Sequence, residues 1–304
     1  MKNHLRIKIA RLDLKNPVMV ASGTFGYAEE FRDFVDLKKL GAIVSKTVTL
    51  RPRPGNPAPR TCETPAGMLN SIGLENPGIE VFLKEKLPAP TRYAVPIIVS
   101  VSSDSHPAEF KALVQALDKR RDVAAIELNL SCPNLSKEVL IAQDTKAVYA
   151  VIKMVRRLTR KTLIAKLSPN VTDISVIAQA AESAGADAVS LINTIVGMSI
   201  DPASRRPKIA SVTAGLSGPA IRPIALRMVW EVYRKIKIPI IGMGGIIDTA
   251  SALEFLIAGA GAIAVGTANF INPKATIEII NGIRHYLVKN KLKNIKELSG
   301  SLKL

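Results

Sequence analysis

Eight short apolar runs of strand length, separated by stretches with helical spacing, constrain the fold of this chain more than any other feature. Most of the runs are rich in Val and Ile and carry few polar residues, which is typical of parallel strands covered on both faces. The eight predicted strands are Pro17–Ser22, Ala42–Thr47, Pro96–Ser102, Ala125–Ser131, Thr162–Ser168, Ala188–Thr194, Ile238–Gly244 and Ala262–Ala268.

The stretches between the strands carry helix signals. Apolar residues fall at i, i+3, i+4 and i+7 from Ile174, behind a candidate N-cap at Asp173 and before a stop at Gly185. A junction of helix, glycine and strand recurs as LGAIVS at 40–45, AGADAVS at 184–190 and AGAGAIAV at 258–265. Strands and helices that alternate in this way predict an α/β fold, a (β/α)8 TIM barrel.

An open doubly wound sheet is the competing architecture. Such a sheet normally carries a Gly-x-Gly-x-x-Gly turn after its first strand, and here that strand ends in ASGTFG, a poor match.

The N-terminal MKNHLRIKIARLDL alternates charged residues with Leu and Ile. This pattern predicts a short β-hairpin, because a signal peptide needs a continuous apolar core. No linker or shift in composition divides the chain, so residues 1–304 are predicted to form a single domain.

Composition narrows the setting of the protein. Hydrophobic residues make up 47% of the chain, yet no apolar run reaches the roughly 18 residues that a membrane-spanning helix needs. A soluble cytoplasmic protein is therefore expected. The two cysteines, Cys62 and Cys132, are too few for an iron–sulfur cluster, which needs about four thiolates. No metal site is predicted.

The net charge of +17 raises nucleic-acid binding as an alternative. Lys and Arg are scattered along the chain, however, and aromatic residues make up only 4% of it. Single-stranded nucleic acids are usually held on interleaved aromatic and basic side chains. A solvated basic surface is the favoured interpretation, with RNA binding as the minor alternative.

Polar side chains and glycines collect where the predicted strands end. In a TIM barrel the carboxyl ends of the strands form the active face, so a functional site is expected there. The residues at or just after the strand ends are Ser22, Lys46, Thr47, Ser100 to Ser102, Asn129, Cys132, Asn134, Lys166, Asn193, Thr194, Gly244, Gly245, Gly266 and Thr267.

Cys132 follows the fourth predicted strand, within the tetrad Ser-Cys-Pro-Asn. A thiol at that place can serve as a proton acceptor or as a nucleophile. The alternative is a small buried apolar side chain, since free cysteine is among the most buried residue types.

Lys46 and Lys166 each lie within an otherwise apolar strand. A lysine there is costly unless it meets an anion or a strong acceptor, and the alternative is a lysine that reaches solvent at a strand edge. Two such lysines, in the second and fifth strands, predict a shared anionic ligand. One ammonium group would face a carboxylate and the other an electron-accepting ring.

Glycine-rich turns follow the seventh and eighth strands, as GMGGI at 242–246 and VGTA at 265–268. Glycines let backbone N–H groups approach an anion, and a helix that begins near Asp248 would add its positive end. A phosphate site is predicted here, with Gly218 as a further backbone donor. Four amides, of Asn70, Asn129, Asn134 and Asn193, are expected on the same face and suit a ring with alternating N–H and C=O groups.

Together these motifs resemble the class 1 dihydroorotate dehydrogenase family, and are most similar to its class 1B catalytic subunit. The resemblance extends from about Leu12 to Tyr286. It depends on ASGTFG, SKTVT, ETPAGMLNSIGLENPG, ELNLSCPN, AKLSPNVTDI, INTIVGM, GLSGPAIRP, IGMGGI and VGTANF, in this order.

The resemblance implies FMN-dependent oxidation of (S)-dihydroorotate to orotate in de novo pyrimidine biosynthesis. Cys132 would be the base that removes the C5 proton, while hydride passes from C6 to FMN N5. The implied substrate-binding residues are Lys46, Asn70, Ile72, Gly73, Leu74, Asn129, Asn134, Asn193 and Thr194. The implied FMN-binding residues are Ala21, Ser22, Lys46, Thr47, Ser100, Asn129, Lys166, Ile192, Gly218, Gly244, Gly245, Gly266 and Thr267.

The resemblance also implies partners. These are a homodimeric core and an electron-transfer subunit that carries FAD and an iron–sulfur cluster and passes electrons to NAD. A fumarate-type acceptor is the alternative. The chain departs from the family at Ser100, where Asn is common, and at LSKEVLIAQD after Cys-Pro-Asn, where a Gly-Gly and Phe-Gly segment is usual.

Two other functions stay open at the level of the sequence. One is a dihydropyrimidine dehydrogenase-type flavoprotein that acts on uracil or thymine, a group that tends to carry His where Asn134 stands here. The other is a non-catalytic FMN barrel that binds nucleic acid, for which the net charge is the main support.

Overall fold

Eight parallel strands close into a barrel, as the sequence predicts. In this computed structural model the described residues are 4–103, 106–131 and 141–304. The barrel strands, which we label β1 to β8, are Val18–Val20, Ala42–Val44, Ile97–Val101, Ala125–Asn129, Thr162–Lys166, Ala188–Leu191, Ile240–Gly242 and Ala262–Val265. Each strand pairs with the next in sequence, and β8 pairs with β1 to close the barrel. The doubly wound alternative is therefore wrong.

Each observed strand is shorter than the predicted apolar run that contains it. The predicted run Ala188–Thr194, for example, contributes only Ala188–Leu191 to the ladder. The polar residues and glycines that end the runs lie beyond the regular strands, toward the carboxyl rim of the barrel.

Six helices of ten or more residues surround the barrel within the described part of the chain. We label them α1 to α6, and they are Glu109–Asp118, Thr145–Arg156, Ile174–Ser183, Arg222–Tyr233, Thr249–Ala258 and Ala275–Lys289. Shorter helical segments are Glu29–Phe31, Leu37–Lys39, Gly78–Val81, Phe82–Lys86, Pro88–Thr91, Ile141–Gln143, Pro219–Ile221, Ala268–Ile271 and Ile295–Glu297.

The helix boundaries follow the capping signals in the sequence. The carboxylate of Asp173 accepts a hydrogen bond from the backbone N–H of Ser175 at 2.8 Å, so α3 begins at the predicted residue. The chain leaves α3 through Gly185, whose φ of 100° favours glycine. On α1 the buried residues Phe110, Leu113, Val114 and Leu117 have the spacing of a single helix face turned to the barrel.

The predicted N-terminal hairpin is present and covers the amino end of the barrel. Ile7–Ile9 pairs with Leu12–Leu14 in antiparallel register, and the hairpin buries alternate side chains. The backbone N–H of Arg11 donates to Thr162 Oγ1 at 3.3 Å, at the beginning of β5. The hairpin therefore lies opposite the end at which the site is expected.

A four-stranded antiparallel sheet, which we call the cap sheet, was not predicted. Its strands are Thr61–Thr64, Gly67–Asn70, Thr213–Ser217 and Ile195–Met198, in this spatial order. They belong to the connections that follow β2 and β6, so the cap sheet lies at the carboxyl end of the barrel. A two-residue ladder, Ile200–Asp201 with Arg206–Pro207, lies in the same connection after β6.

Within the described residues, no helix combines the length and apolar character that a membrane-spanning segment requires.

Candidate functional site

A cavity of about 760 Å³ lies at the carboxyl ends of the barrel strands, between the strand ends and the cap sheet. Its volume is within the roughly 300–1,000 Å³ of pockets that bind small molecules. The predicted site residues that line it are Ala21, Ser22, Lys46, Thr47, Asn70, Ile72, Gly73, Leu74, Asn129, Lys166, Ile192, Asn193, Thr194, Gly218, Gly244, Gly245, Gly266 and Thr267. The structure thus brings together residues that are up to about 250 positions apart in the sequence.

Strand register explains why these side chains meet. Asn129 of β4 is in register with Lys166 of β5, which is in register with Ser190 of β6. Residues in register on parallel neighbours point to the same face, and alternate residues along one strand share that face. The inward positions at the ends of these strands are therefore next to one another, facing the cavity.

The two strand lysines differ in their surroundings. Lys166 is buried, and its ammonium group donates a hydrogen bond to Ser22 Oγ at 3.0 Å. Lys46 is half-buried and lines the same cavity, and among the described residues its ammonium group has neither a hydrogen bond nor an ion pair. Two cations on one cavity wall favour an anionic ligand, because a ligand charge would supply the partner that the protein does not.

Amide and hydroxyl groups form a connected cluster at the ends of β4 and β6. The side-chain N–H group of Asn193 donates to Ser131 Oγ at 2.8 Å and to Asn129 Oδ1 at 3.4 Å. The Asn193 Oδ1 atom accepts from the backbone N–H of Thr194 at 2.8 Å. From the cap sheet, Asn70 donates to the carbonyl of Gly215 at 3.2 Å. These bonds hold the three amides in fixed orientations around the cavity.

A glycine-rich wall forms another part of the cavity lining. Gly218 has a φ of 94°, and a Cβ atom added to it would lie 2.8 Å from the Cα atom of Gly67. Gly245 has a φ of 76°, and its added Cβ would lie 2.8 Å from the Gly218 carbonyl oxygen. Only glycine fits such positions, so the turns at Gly218 and Gly245 pack backbone against backbone at the cavity wall.

Two details refine the predicted phosphate site. The Thr267 hydroxyl donates to Ser217 Oγ at 2.8 Å, which links the turn after β8 to the cap sheet. The first turn of α5 is closed by its own Asp248, whose carboxylate accepts from the Ser251 backbone N–H at 2.8 Å. This capping box lowers the pKa of Asp248 through the hydrogen bonds from Ser251 and satisfies part of the helix terminus internally.

Within the described part of the chain, Ser100 is the one predicted site residue that does not line the cavity. Ser100 is fully buried, and its hydroxyl lies 3.0 Å from Thr47 Oγ1, so it reaches the cavity only through Thr47. Cys132 and Asn134 lie outside the described residues. Their neighbour Ser131 does line the cavity, at the end of β4.

Some cavity residues were missed by the sequence analysis. Arg60 and Glu75 form an ion pair of 2.5 Å at the wall, and Ser131 and Ser217 contribute hydroxyls. Ser131 and Ser217 stand within motifs that the sequence analysis identified, so they could have been assigned to the site from the sequence. Arg60 could not, because its position at the cavity depends on the cap sheet.

Comparison with known proteins agrees with the resemblance seen in the sequence. Residues 4–287 match the family model described as dihydroorotate dehydrogenase. A protein of Pelobacter propionicus is 52% identical over 303 residues, which cover 99% of both chains, and is named dihydroorotate dehydrogenase B (NAD(+)), catalytic subunit. Proteins of Thermoanaerobacter pseudethanolicus (52% identical, 99% of both chains) and Geobacter sulfurreducens (50% identical, 100% of this chain and 99% of the relative) carry the same name.

Proposed function

The chain belongs to the dihydroorotate dehydrogenase family, and on that premise we propose which of its residues bind the flavin, bind the substrate and transfer the proton. The protein oxidises dihydroorotate to orotate, a flavin-dependent step of pyrimidine biosynthesis. We propose that the flavin is FMN and that it occupies the cavity between the barrel rim and the cap sheet.

One observation carries the proposal about the site. A single cavity is lined both by a glycine-rich wall and by a buried lysine with an ordered amide cluster. The glycine wall, formed by Gly218, Gly244, Gly245 and Gly266 with Thr267, suits a phosphate group. Lys166 suits the part of a flavin ring that gains negative charge. These donors fit FMN, whose single phosphate and ring lie at opposite ends of the molecule.

When bound, the flavin would supply the two-electron acceptor for the hydride of dihydroorotate C6. Lys166, fixed by Ser22, would oppose the negative charge that reduction brings to the ring. Ser22 and Thr47 would contact the ring region, with Ala21 and Ile192 forming apolar parts of the wall. Ser100 would act only by orienting Thr47.

The substrate would lie against the amide cluster and Lys46. The Lys46 ammonium group, which has no partner among the described residues, suits the carboxylate of dihydroorotate. The amides of Asn129 and Asn193, with Asn70 and Thr194, suit the N–H and C=O groups of the pyrimidine ring. Ile72, Gly73 and Leu74 would complete the wall, and Asn134 would add a further amide.

Cys132 is the proposed base, which takes the proton from dihydroorotate C5. A thiol suits this task because its surroundings can bring its pKa near the working pH. Support comes from the sequence motif and from the position of Ser131, the residue before Cys132, on the cavity wall.

Electrons must then leave the protein. The relatives are named catalytic subunits of an NAD(+) enzyme, which implies a separate electron-transfer subunit. We propose that this partner carries FAD and an iron–sulfur cluster, since the chain has only two cysteines and a cluster needs about four thiolates. A homodimeric core, a single domain over residues 1–304 and a cytoplasmic location complete the proposal.

The Cys132→Ala variant tests the assignment of the base. The purified variant should keep its yellow flavin colour, while anaerobic dihydroorotate should reduce the flavin at least about 100-fold more slowly than in the wild type near neutral pH, because proton transfer has lost its acceptor. Stopped-flow absorbance measures both rates. The matched control is Cys62→Ala, which removes the other thiol from the cap sheet, away from the cavity wall. Wild-type speed in Cys132→Ala would rule out the thiol as the base.

A further inference from the structure

Two loops that meet at the cavity wall hold each other in place. The first, which we call the substrate loop, is residues 71–76 and carries the proposed substrate-wall residues Ile72, Gly73 and Leu74. The second, which we call the backing loop, is residues 53–60 and lies in the chain between β2 and the cap sheet. The proposed reaction assigns no role to the backing loop, although its Asn56 and Arg60 also line the cavity.

Backbone groups of the substrate loop are bonded to the backing loop along much of its length. The backbone N–H of Asn56 donates to the Ile72 carbonyl at 3.0 Å. Arg53 and Asn76 exchange two backbone hydrogen bonds, of 2.9 and 3.1 Å, and Arg53 Nε donates to the Gly73 carbonyl at 3.2 Å. The position of the substrate loop therefore depends on the backing loop.

Leu74, in the middle of the substrate loop, has an unfavourable backbone conformation. Its φ is 55°, in the left-handed region that residues other than glycine rarely adopt. Such a conformation persists only where the surrounding contacts enforce it, and it is common where a ligand is held. On one side the contact is known, because the side-chain N–H group of buried Asn76 donates to the Leu74 carbonyl at 2.7 Å.

An ion pair holds the residue next to Leu74 from the cavity side. Arg60 Nη2 lies 2.5 Å from Glu75 Oε2, and the two side chains are 33% and 40% exposed. Arg60 directly precedes the cap-sheet strand Thr61–Thr64, so the pair ties the substrate loop to the cap sheet. An ion pair this exposed contributes little to the stability of the whole protein. Its effect is on the position of the loop, where a small displacement is enough to weaken substrate binding.

We propose that Arg60 and Glu75 are positioning residues, whose ion pair holds Leu74 and its neighbours in the conformation that binds dihydroorotate and orotate. The inference rests on the proposed substrate site. Arg60 already has an anionic partner in Glu75, in contrast to Lys46, so it acts on the substrate through the loop. The glycine wall belongs to other turns and does not depend on this ion pair.

The Glu75→Ala variant tests the proposal. Titration of the oxidised, flavin-loaded protein with orotate, followed by the flavin absorbance, should give a Kd at least about fivefold higher than in the wild type. The KM for dihydroorotate should rise by a similar factor. Flavin content and the rate of flavin reduction at saturating dihydroorotate should stay within about twofold of the wild type, because the chemical groups are unchanged.

The direction of the change separates positioning from direct contact. If Arg60 itself bound the substrate carboxylate, removal of the competing Glu75 carboxylate would strengthen orotate binding, because a negative charge near the anion is lost. An unchanged or lower Kd in Glu75→Ala therefore overturns the proposal. Loss of flavin together with orotate also overturns it, because the whole site would then depend on the pair.

A double-mutant cycle and a matched control complete the experiment. Arg60→Ala should weaken orotate binding as Glu75→Ala does, and the double variant should stay within about twofold of the weaker single variant, since both changes remove the same contact. Effects that multiply overturn the proposal. The control Glu231→Ala breaks a 2.6 Å ion pair with Arg227 on α4, away from the cavity lining, and should leave the Kd unchanged. An equal rise in this control overturns the proposal. A wild-type protein that keeps its flavin but binds no orotate would instead refute the proposed function.

Discussion

Tyr27 illustrates how a single side chain near the site couples burial to pH. Its hydroxyl is buried and has no partner among the described residues, while its ring packs against Phe82 at a centroid distance of 5.7 Å. Burial, followed by repulsion from Glu30 and Glu75, raises the pKa of Tyr27 to about 12. The ring therefore stabilises the folded state by packing, whereas the buried hydroxyl without a hydrogen bond destabilises it.

We expect Tyr27→Phe to keep the stability of the wild type at pH 7 or to raise it by about 1 kcal/mol, since the change removes an unsatisfied polar group and keeps the ring. The pKa of tyrosine is about 10 in the unfolded chain. Between about pH 10 and 12 the folded state of the wild type binds more protons, so its free energy of unfolding falls relative to that of the variant. The fall should be about 1 to 2 kcal/mol, because solvent screens the partly exposed side chain. Urea unfolding at pH 7 and across the alkaline range measures the difference. If the free energies of unfolding of the two proteins changed equally with pH, the raised pKa of Tyr27 would be refuted.

At the scale of elements, the turn at Gly218 connects the cap sheet to α4 and forms part of the glycine wall. Its φ of 94° is unfavourable for other residues, and the Cβ of an alanine would press against the backbone of Gly67. Both strain and displacement of the cap sheet are therefore expected when this residue changes.

Gly218→Ala should lower the free energy of unfolding by about 1 to 3 kcal/mol and weaken FMN binding at least tenfold. Thermal unfolding of the apoprotein and fluorescence titration with FMN measure the two effects. Gly266→Ala is the control for stability, because its added Cβ would meet only Ala21 Cβ at 3.8 Å, an ordinary contact. Equal stability of both variants would mean that the turn is not strained.

The barrel and the cap sheet show what a sequence can predict about elements. The barrel strands, the hairpin and the ends of α3 have local signals: apolar runs, alternation and caps. The cap sheet pairs residues near 61–70 with residues near 195–217. Its strands are short and rich in turn residues, and neither segment carries a local signal that predicts pairing with the other. Asn70 was expected on the same face as the other amides, but the strand that it ends was not predicted.

The site residues likewise divide into those with a local sequence signal and those whose position depends on contacts between distant segments. Strand-end residues such as Lys166 and Asn193 were predicted to meet because a barrel brings its carboxyl ends to one rim. Arg60 was not, since the cap sheet alone brings it to the cavity.

At the scale of the whole molecule, a net charge of +17 surrounds a site that is itself cationic. The ion pairs described in the structure are mostly exposed, so they contribute little to stability. A positive surface does raise the local concentration of anions such as dihydroorotate. The charge therefore agrees with the proposed substrate and does not require a nucleic-acid partner.

The most direct test of the central claim compares dihydroorotate with dihydrouracil, which lacks the carboxylate, as reductants of the flavin in the wild-type protein. Anaerobic stopped-flow absorbance should show full bleaching by about one equivalent of dihydroorotate. Bleaching by dihydrouracil should be at least about 100-fold slower, because the Lys46 ammonium group would then face no partner. A flavin-loaded protein that dihydroorotate fails to bleach, or that dihydrouracil bleaches equally fast, would contradict the account.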